Sequence, residues 1–384
     1  MTGLAERRLL RGLPFDITAK LARLNWVFVA LVIALAGLGY AALYSVDGGS
    51  PHPYAEAQAV RFAIGLVVML GIGLIDIRFI ARLAWPAYGA ALALLVAVER
   101  FGHVGKGAQR WIAVGGMELQ PSELMKVALV LALAAWFRRA SWERVGNPLF
   151  LLVPVGAILL PVGLILKEPN LGTAVITATI GGAVLLAAGV RLWWFLLALA
   201  PVPLVAQLAF THLHGYQKAR IETFLHPESD PLGTGYNIIQ SKIALGSGGM
   251  WGQGYLHGTQ GHLNFLPEKQ TDFIFTTIAE ELGFVGALGA MALLLLIVAA
   301  AMLIALRCRH QFGRLAAFGI AVNFSLYVFV NLAMVMGAIP VGGVPLPLVS
   351  YGGSALIAAM LGFGVLLSVD LHRDAVFAEG DAAE

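Results

Sequence analysis

A single cysteine, Cys308, stands among the 384 residues, so no intrachain disulfide can staple this fold. It lies in the basic segment Arg307-Cys308-Arg309, expected on the reducing side of a membrane. Charge is scarce as well. Asp, Glu, Lys and Arg make up 12% of the chain, about half of the ~25% usual in soluble domains. With 59% hydrophobic residues and a mean hydropathy of +0.81, too little polar side chain remains to cover a soluble surface. The sequence contains no Gly-x-Gly-x-x-Gly and no Walker motif, which removes the usual signatures of nucleotide use. His212, His214, His226, His257 and His262 have no further ligand at a defined spacing and do not read as a metal centre. The basic residues are scattered through short segments and make no nucleic-acid face.

Long apolar runs fill the space instead. About 20 apolar residues, at ~1.5 Å of helix each, cross the hydrocarbon of a bilayer. Ten spans are legible, at roughly 24–46, 60–75, 83–98, 124–137, 149–166, 171–190, 192–210, 273–306, 315–336 and 346–369. Arg7, Arg8, Arg11, Lys20 and Arg23 precede the first, like the basic start of a signal peptide. That first run is too long for a signal core and no small-x-small cleavage site follows, so it reads as a retained span. If the N-terminus is cytoplasmic and the spans alternate, inner segments hold 15 of the 25 Lys and Arg residues, in short loops and tails where the positive-inside bias acts. Ten spans then return both termini, residues 1–23 and 370–384, to the cytoplasm. The prediction is an all-α polytopic membrane protein: one membrane domain over 1–384 with about ten transmembrane helices.

Two outer segments break this pattern. Residues 211–272, between spans seven and eight, form a large extracytoplasmic loop. Loops of this length are uncommon unless functional. It carries Gly246-Ser247-Gly248-Gly249, Gly252 and Gly254, which either let backbone approach a ligand or another chain, or mark a flexible surface loop. The segment Pro340-Val341-Gly342-Gly343-Val344-Pro345-Leu346-Pro347 is apolar yet cannot be a continuous helix. It reads as a re-entrant or surface-hugging loop, tolerable only against protein or water.

Ionisable groups near the apolar zone are site candidates, because burying charge there is expensive. They cluster on the outer side. Arg110-Trp111 is followed by Gln120-Pro121-Ser122-Glu123-Leu124-Met125-Lys126, where Glu123 and Lys126 can meet on one helix face three residues apart. That pair either lets the span begin or forms a charged floor, with Arg110 and Lys126 facing phosphate oxygens of an anionic head group. Lys167-Glu168-Pro169-Asn170 reads as an ordinary turn. The third cluster runs from Leu266 through Pro267, Glu268, Lys269, Gln270 and Thr271 to Asp272, and on to Glu280-Glu281. If Asp272 opens the eighth helix, Asp272, Thr276 and Glu280 share one face. Asp272 alone could be a helix cap; the further carboxylates are harder to explain that way.

A carboxylate at the membrane interface with cations nearby suits glycosyl transfer from a lipid pyrophosphate. The acceptor hydroxyl needs a base as it attacks the anomeric carbon. The departing pyrophosphate needs positive charge from Arg, Lys or a divalent cation such as Mg or Mn.

Several motifs carry a resemblance. They are Gly107-Ala108-Gln109-Arg110-Trp111-Ile112, the Gln120–Lys126 stretch, and Ser241-Lys242-Ile243-Ala244-Leu245-Gly246-Ser247-Gly248-Gly249. Others are Gly258-Thr259-Gln260, Asn264-Phe265-Leu266-Pro267-Glu268, Thr271-Asp272-Phe273-Ile274-Phe275, Ala279-Glu280-Glu281-Leu282-Gly283, and Val344-Pro345-Leu346-Pro347 with Ser350-Tyr351-Gly352-Gly353. With these the chain resembles the SEDS family (shape, elongation, division and sporulation), from its first span to its last, and its elongation branch more than its division branch. The resemblance implies a bacterial inner-membrane peptidoglycan glycosyltransferase acting on lipid II within the rod-elongation machinery. A class B penicillin-binding protein would be its transpeptidase partner, alongside other elongation-complex proteins. It places the family's essential aspartate on Asp272 as catalytic residue. It places the family's charged pair on Glu123 and Lys126 and its arginine on Arg110; with Glu280 these are the substrate-binding candidates. A lipid II flippase and a non-catalytic scaffold for the transpeptidase are the alternative readings. Two positions depart from the family pattern: Asn170 stands where an Asp is usual, and Gly342 where a Thr is usual. Asn170 can be neither a base nor a charged ligand.

Overall fold

A computed structural model describes residues 17–105, 108–114, 117–138, 140–168, 170–200, 234–259 and 268–377. Outside these lie Arg7, Arg8 and Arg11, His212, His214, His226 and His262, Gln260, the Asn264–Pro267 run, and the last residues of the tail. A helix stands on each of the ten apolar runs. After a short basic helix α1 (Ile17–Arg23) come α2 (Trp26–Val46), α3 (Tyr54–Leu74) and α4 (Ile77–Phe101). Then follow α5 (Pro121–Phe137), a single-turn α6 (Trp142–Val145), α7 (Pro148–Lys167), α8 (Leu171–Ala187) and α9 (Leu192–Leu199). The large loop contains α10 (Thr234–Ser247), and α11 (Ile274–Arg307), α12 (Gln311–Val335) and α13 (Gly353–Leu371) complete the order. Seven of them, α2, α3, α4, α7, α11, α12 and α13, are long and apolar enough to cross a membrane, and α8 is a shorter apolar helix.

The helical reading gains one addition. Between α4 and α5 the chain forms a small antiparallel sheet of β1 (His103–Gly105), β2 (Ala108–Val114) and β3 (Met117–Leu119), in that order. The residues linking the spans are too few and too polar to be a span and include Trp111, Ile112 and Val114, which suit a strand.

The apolar faces sort the helices. The outward residues of α7, such as Leu149, Leu152, Leu159 and Leu160, are exposed side chains fit for lipid. By contrast α5 is buried almost all round, from Pro121 to Phe137, as expected of a helix apolar on every side. It packs against α4, α8, α12 and α13, which makes it the central post of the bundle. Pro121 at its first turn needs no N–H partner, and Asn147-Pro148 opens α7 the same way, with Asn147 Oδ1 accepting from Leu149 N–H at 2.9 Å.

The loops assemble at two opposite ends. At one end α1, the α3–α4 turn, the α11–α12 turn and the tail meet: Lys20 donates to the Leu74 carbonyl, Ser368 to that of Ile75, and Arg309 pairs with Asp374. The other end holds the sheet, the α7–α8 turn, the large loop and the Pro340–Pro347 segment.

The long α11 is broken at Gly283, whose φ of 69° and ψ of −168° leave the helix. The break frees backbone groups that cannot stay unpaired in a dry environment. The glycine cluster supplies their partners. Gln253 N–H donates to the Glu280 carbonyl at 3.0 Å and Gly254 N–H to that of Glu281 at 3.1 Å. In return Phe284 N–H donates to Gly249 and Val285 N–H to Met250. A Cβ on Gly248 would lie 2.1 Å from the Ala279 carbonyl oxygen, and one on Gly252 only 2.0 Å from that of Glu281. These glycines let backbone approach backbone within the chain. Gly252→Ala should therefore destabilise the protein by at least ~1–3 kcal/mol, the strain of its left-handed φ alone. Gly289→Ala, in the same helix with nothing within 4 Å of its Cβ position, should be neutral or stabilising. Thermal melts in detergent decide; similar shifts for both variants would sink this account of the break.

Candidate active site

Asp272 sits in a tight turn ahead of α11. The Glu268 carbonyl accepts from the N–H groups of Thr271, Asp272 and Phe273 at 3.1, 3.2 and 3.4 Å. Thr271 Oγ1 donates to Glu268 Oε2 at 2.8 Å. The helix starts at Ile274, two residues later than the spacing predicted, and its N-cap residue Phe273 makes no side-chain cap bond. Asp272 stands one residue before that N-cap. Its carboxylate is half-buried and stands beside Gly343, with Oδ2 3.7 Å from where a Cβ there would lie.

The Pro340–Pro347 segment forms the facing wall, and its irregular backbone is held from several sides. Asn331 Nδ2 on α12 donates to the Val344 carbonyl at 2.8 Å and to the Asp272 carbonyl at 2.9 Å. Leu346 N–H donates to Ser350 Oγ at 2.8 Å, and Gln58 Nε2 on α3 reaches the Ser350 carbonyl at 2.9 Å. Tyr351 N–H donates to Gln270 at 2.8 Å, tying this segment to the Asp272 turn a second time. Arg61 lies over the Tyr351 ring, 4.6 Å from its centroid. Val344, Leu346, Leu348 and Val349 are buried in protein, the condition a non-helical segment at this depth must meet.

The third wall comes from β2 and the α7–α8 turn. Arg110 Nε donates to the Glu168 carbonyl at 2.9 Å. Gly172 on the first turn of α8 approaches the Gly342 carbonyl, 3.4 Å from its Cβ position. Asn170 accepts from Thr173 N–H at 3.4 Å and caps α8, a task an Asp would also perform. Glu168, read from the sequence as part of an ordinary turn, is the surprise. It is 3% exposed, and neither carboxylate oxygen has a hydrogen-bond partner. Burial pushes its carboxyl up from 4.5 to about 8; nearby Arg110 opposes the rise and Glu99 adds to it.

Glu123 and Lys126 do meet, at 2.7 Å, but they face inward. Lys126 is 1% exposed and lies over the Tyr327 ring, 4.4 Å from its centroid. It donates to Tyr327 Oη, and Tyr327 donates to Glu123 Oε2, so the three groups close a ring of charge-assisted bonds. The expected exposure of Lys126 to phosphate oxygens does not match this burial. The three-residue spacing put both groups on one face, and that face turns to α12. A cavity of about 10 Å³ lies beside Glu123, Asn323 and Tyr327, close to the ~10–15 Å³ one water needs. Glu280 is buried too. It accepts from Thr259 Oγ1 at 3.2 Å and lies against Gly258, so it braces the large loop near the α11 break. Glu281 accepts from Ser45 on α2.

The chain matches the profile of the Cell cycle protein family, FtsW/RodA/SpoVE, over residues 20–375. It is 45% identical over 351 residues to the peptidoglycan glycosyltransferase MrdB of Escherichia coli K12, covering 89% of this chain and 93% of that protein. It is 38% identical to the probable peptidoglycan glycosyltransferase FtsW of Trichlorobacter lovleyi, covering 91% and 94%. Among solved structures, a chain of a peptidoglycan synthase complex that coordinates polymerisation and crosslinking aligns with a TM-score of 0.79 at 34% identity, over 91% of this chain and 98% of that one. The rod shape determining protein RodA of Thermus thermophilus aligns with a TM-score of 0.69 at 30% identity, over 92% and 99%. The chain belongs to the FtsW/RodA/SpoVE family.

Within this member of the family, the structure brings Asp272, Gly343, Arg110 and Glu168 to the loop-rich end of the bundle, with Glu123–Lys126 beneath them. The residues the sequence reading passed over are uncharged or outwardly ordinary: Asn331 and Tyr327 on α12, and Glu168. A scan for polar side chains inside apolar runs, rather than for charge alone, finds Asn323, Tyr327 and Asn331 four residues apart on one face.

Two outcomes follow for the buried charges. Lys126→Ala should destabilise the protein by about 3–5 kcal/mol, because it strands Glu123 in the interior. Lys126→Met with Glu123→Leu should be far milder, and a detergent melt showing the single change no worse than the double would refute the coupling. For Glu168 the folded carboxyl is raised, so its stabilisation is complete below its ordinary 4.5 and is lost as pH rises towards about 8. Glu168→Gln should flatten the melting temperature across that window and exceed wild type above it. Parallel curves for the two proteins would contradict the assignment.

Proposed function

We propose that this protein polymerises lipid II into glycan strands at the outer face of the bacterial inner membrane, with Asp272 as the base. The observation that carries the reading is the half-buried carboxylate of Asp272 standing beside Gly343 at the loop-rich end of the bundle. The glycosyltransferase names of MrdB and FtsW relatives support the reaction class. Basic residues gather at the opposite end, in Lys20, Arg23, Arg78, Arg307, Arg309, Arg314 and Arg373, which favours a cytoplasmic setting for that end and for both termini.

The reaction is an inverting substitution. The acceptor sugar hydroxyl attacks the anomeric carbon of the donor, its proton passes to the Asp272 carboxylate, and the new glycosidic C–O bond forms. The bond from the anomeric carbon to the pyrophosphate oxygen breaks, and its electron pair leaves with the polyprenyl pyrophosphate. Arg110 offsets the charge that develops there. Lys126 is spent on Glu123 and Tyr327 in the interior, where it holds α5 to α12. A divalent cation would add positive charge at the pyrophosphate. Among the described residues, however, no three His, Cys, Asp or Glu side chains assemble a ligand set. Asp272 is the carboxylate that would hold a cation, with the pyrophosphate oxygens as further ligands, and the steps written here run through the chain's own groups.

A class B penicillin-binding protein is the crosslinking partner in this reading, together with other elongation-complex proteins. Its support is the family membership and the similarity to a chain from a complex that couples polymerisation to crosslinking. The test is polymerisation of purified lipid II with that partner present. Asp272→Asn should lower the rate ~10²–10⁴-fold while leaving folding and co-purification intact. Full activity in that variant would move the base elsewhere. No strands from wild type would favour a flippase or scaffold instead.

A further inference from the structure

Asn331 is fully buried on α12, and its side chain spends both N–H groups on two loops. One goes to the Asp272 carbonyl at 2.9 Å and the other to the Val344 carbonyl at 2.8 Å. Its Oδ1 is buried and makes no hydrogen bond, so the amide acts here through its two donors. Those carbonyls belong to the two segments that flank the Asp272 carboxylate: the turn that carries it, and the glycine-rich segment it stands against through Gly343. Four residues back on the same face, Tyr327 is fixed by Glu123 and Lys126 of the central helix. The two loops share one backbone bond, from Tyr351 N–H to the Gln270 carbonyl at 2.8 Å, and neither lies in a sheet that would set the spacing around Asp272. The Asp272 turn is closed by the Glu268 carbonyl, and the other segment has no secondary structure over Val341–Leu346.

We propose that Asn331 is a positioning residue for glycosyl transfer: its amide clamps the Asp272 turn to the Val344 carbonyl and so fixes the distance between the base and the wall against which the acceptor is held. This rests on the reading of Asp272 as the base. Asn331 touches backbone carbonyls and no reacting atom, so its loss acts on orientation. A displacement of about 1 Å at a reacting group is enough to lower a rate ~10²-fold.

The experiment measures kcat and KM for lipid II with the full-length protein and its penicillin-binding partner, for wild type, Asn331→Leu, Asn331→Gln, Asn331→Asp and Asp272→Asn. Asn331→Leu matches the volume and deletes both donors; its kcat should fall ~10²-fold with KM unchanged. Asn331→Gln keeps both donors on a longer arm and should recover part of kcat. Asn331→Asp has the same size and offers at most one donor, as the buried protonated acid, so it can hold only one of the two carbonyls and should be slower than the Gln variant. Hydrogen exchange should show the turn around Asp272 and the segment around Val344 opening together in the Leu variant. Wild-type kcat in a folded Asn331→Leu, beside an inactive Asp272→Asn, would overturn the clamp and leave the base assignment standing. A raised KM at constant kcat would also overturn it, because it would put Asn331 in contact with the donor. If the Leu variant does not fold, the Gln and Asp pair decides: equal kcat in the two would refute a role for the donors. Wild-type rates in Asp272→Asn would remove the base assignment itself, and the clamp with it.

Discussion

Every irregular stretch of backbone near the hydrocarbon must find a partner for each N–H and C=O within the protein, because lipid offers none. The architecture at the loop-rich end follows from that demand. Where α11 breaks at Gly283, the glycine cluster of the large loop takes up the freed groups at Glu280, Glu281, Phe284 and Val285. Where the Pro340–Pro347 segment abandons helix, Asn331, Ser350 and Met334 supply the donors and acceptors. The Asp272 turn lies outside helix geometry, and backbone outside helix geometry needs such substitutes. The site and its scaffolding are therefore one problem with one solution.

Charge follows the same logic. Lys126 inside the bundle would be prohibitive alone, and it is tolerated because Glu123 and Tyr327 satisfy it at once. The ring also joins the central α5 to α12, the helix that carries Asn331. An ion pair in the interior of the bundle thus contacts α12 one turn before Asn331, the residue bonded to the Asp272 turn and the Val344 segment.

How much of this was legible in the sequence depended on the range of the interaction. The ten apolar runs came from local hydropathy, and a helix lies on each. The Glu123–Lys126 contact came from helix spacing, but its inward direction did not, because a three-residue spacing fixes the face and not its neighbour. Asp272 was legible by motif, yet its place two residues before the helix was not, since the Glu268 turn that delays the helix is set by backbone closure and a positive φ of 58° at Glu268. Asn331 was passed over because an amide in an apolar run carries no charge to flag it. The glycine cluster read equally well as a ligand loop or a surface loop. Only the pairing across some thirty residues, to a helix break that itself needs Gly283, distinguishes these from a third answer.

Glu168 and Asn170 show how local substitution and long-range environment combine. Asn170 keeps the capping function that the first turn of α8 requires, so the loss of a carboxylate there does not undo the helix start. The acid two residues earlier is raised by burial to about 8, with Arg110 opposing the rise. Its backbone carbonyl accepts from Arg110 Nε, so the same turn also anchors that guanidinium. One turn thus buries an acid, anchors a guanidinium on its own backbone and opens the next helix through Asn170.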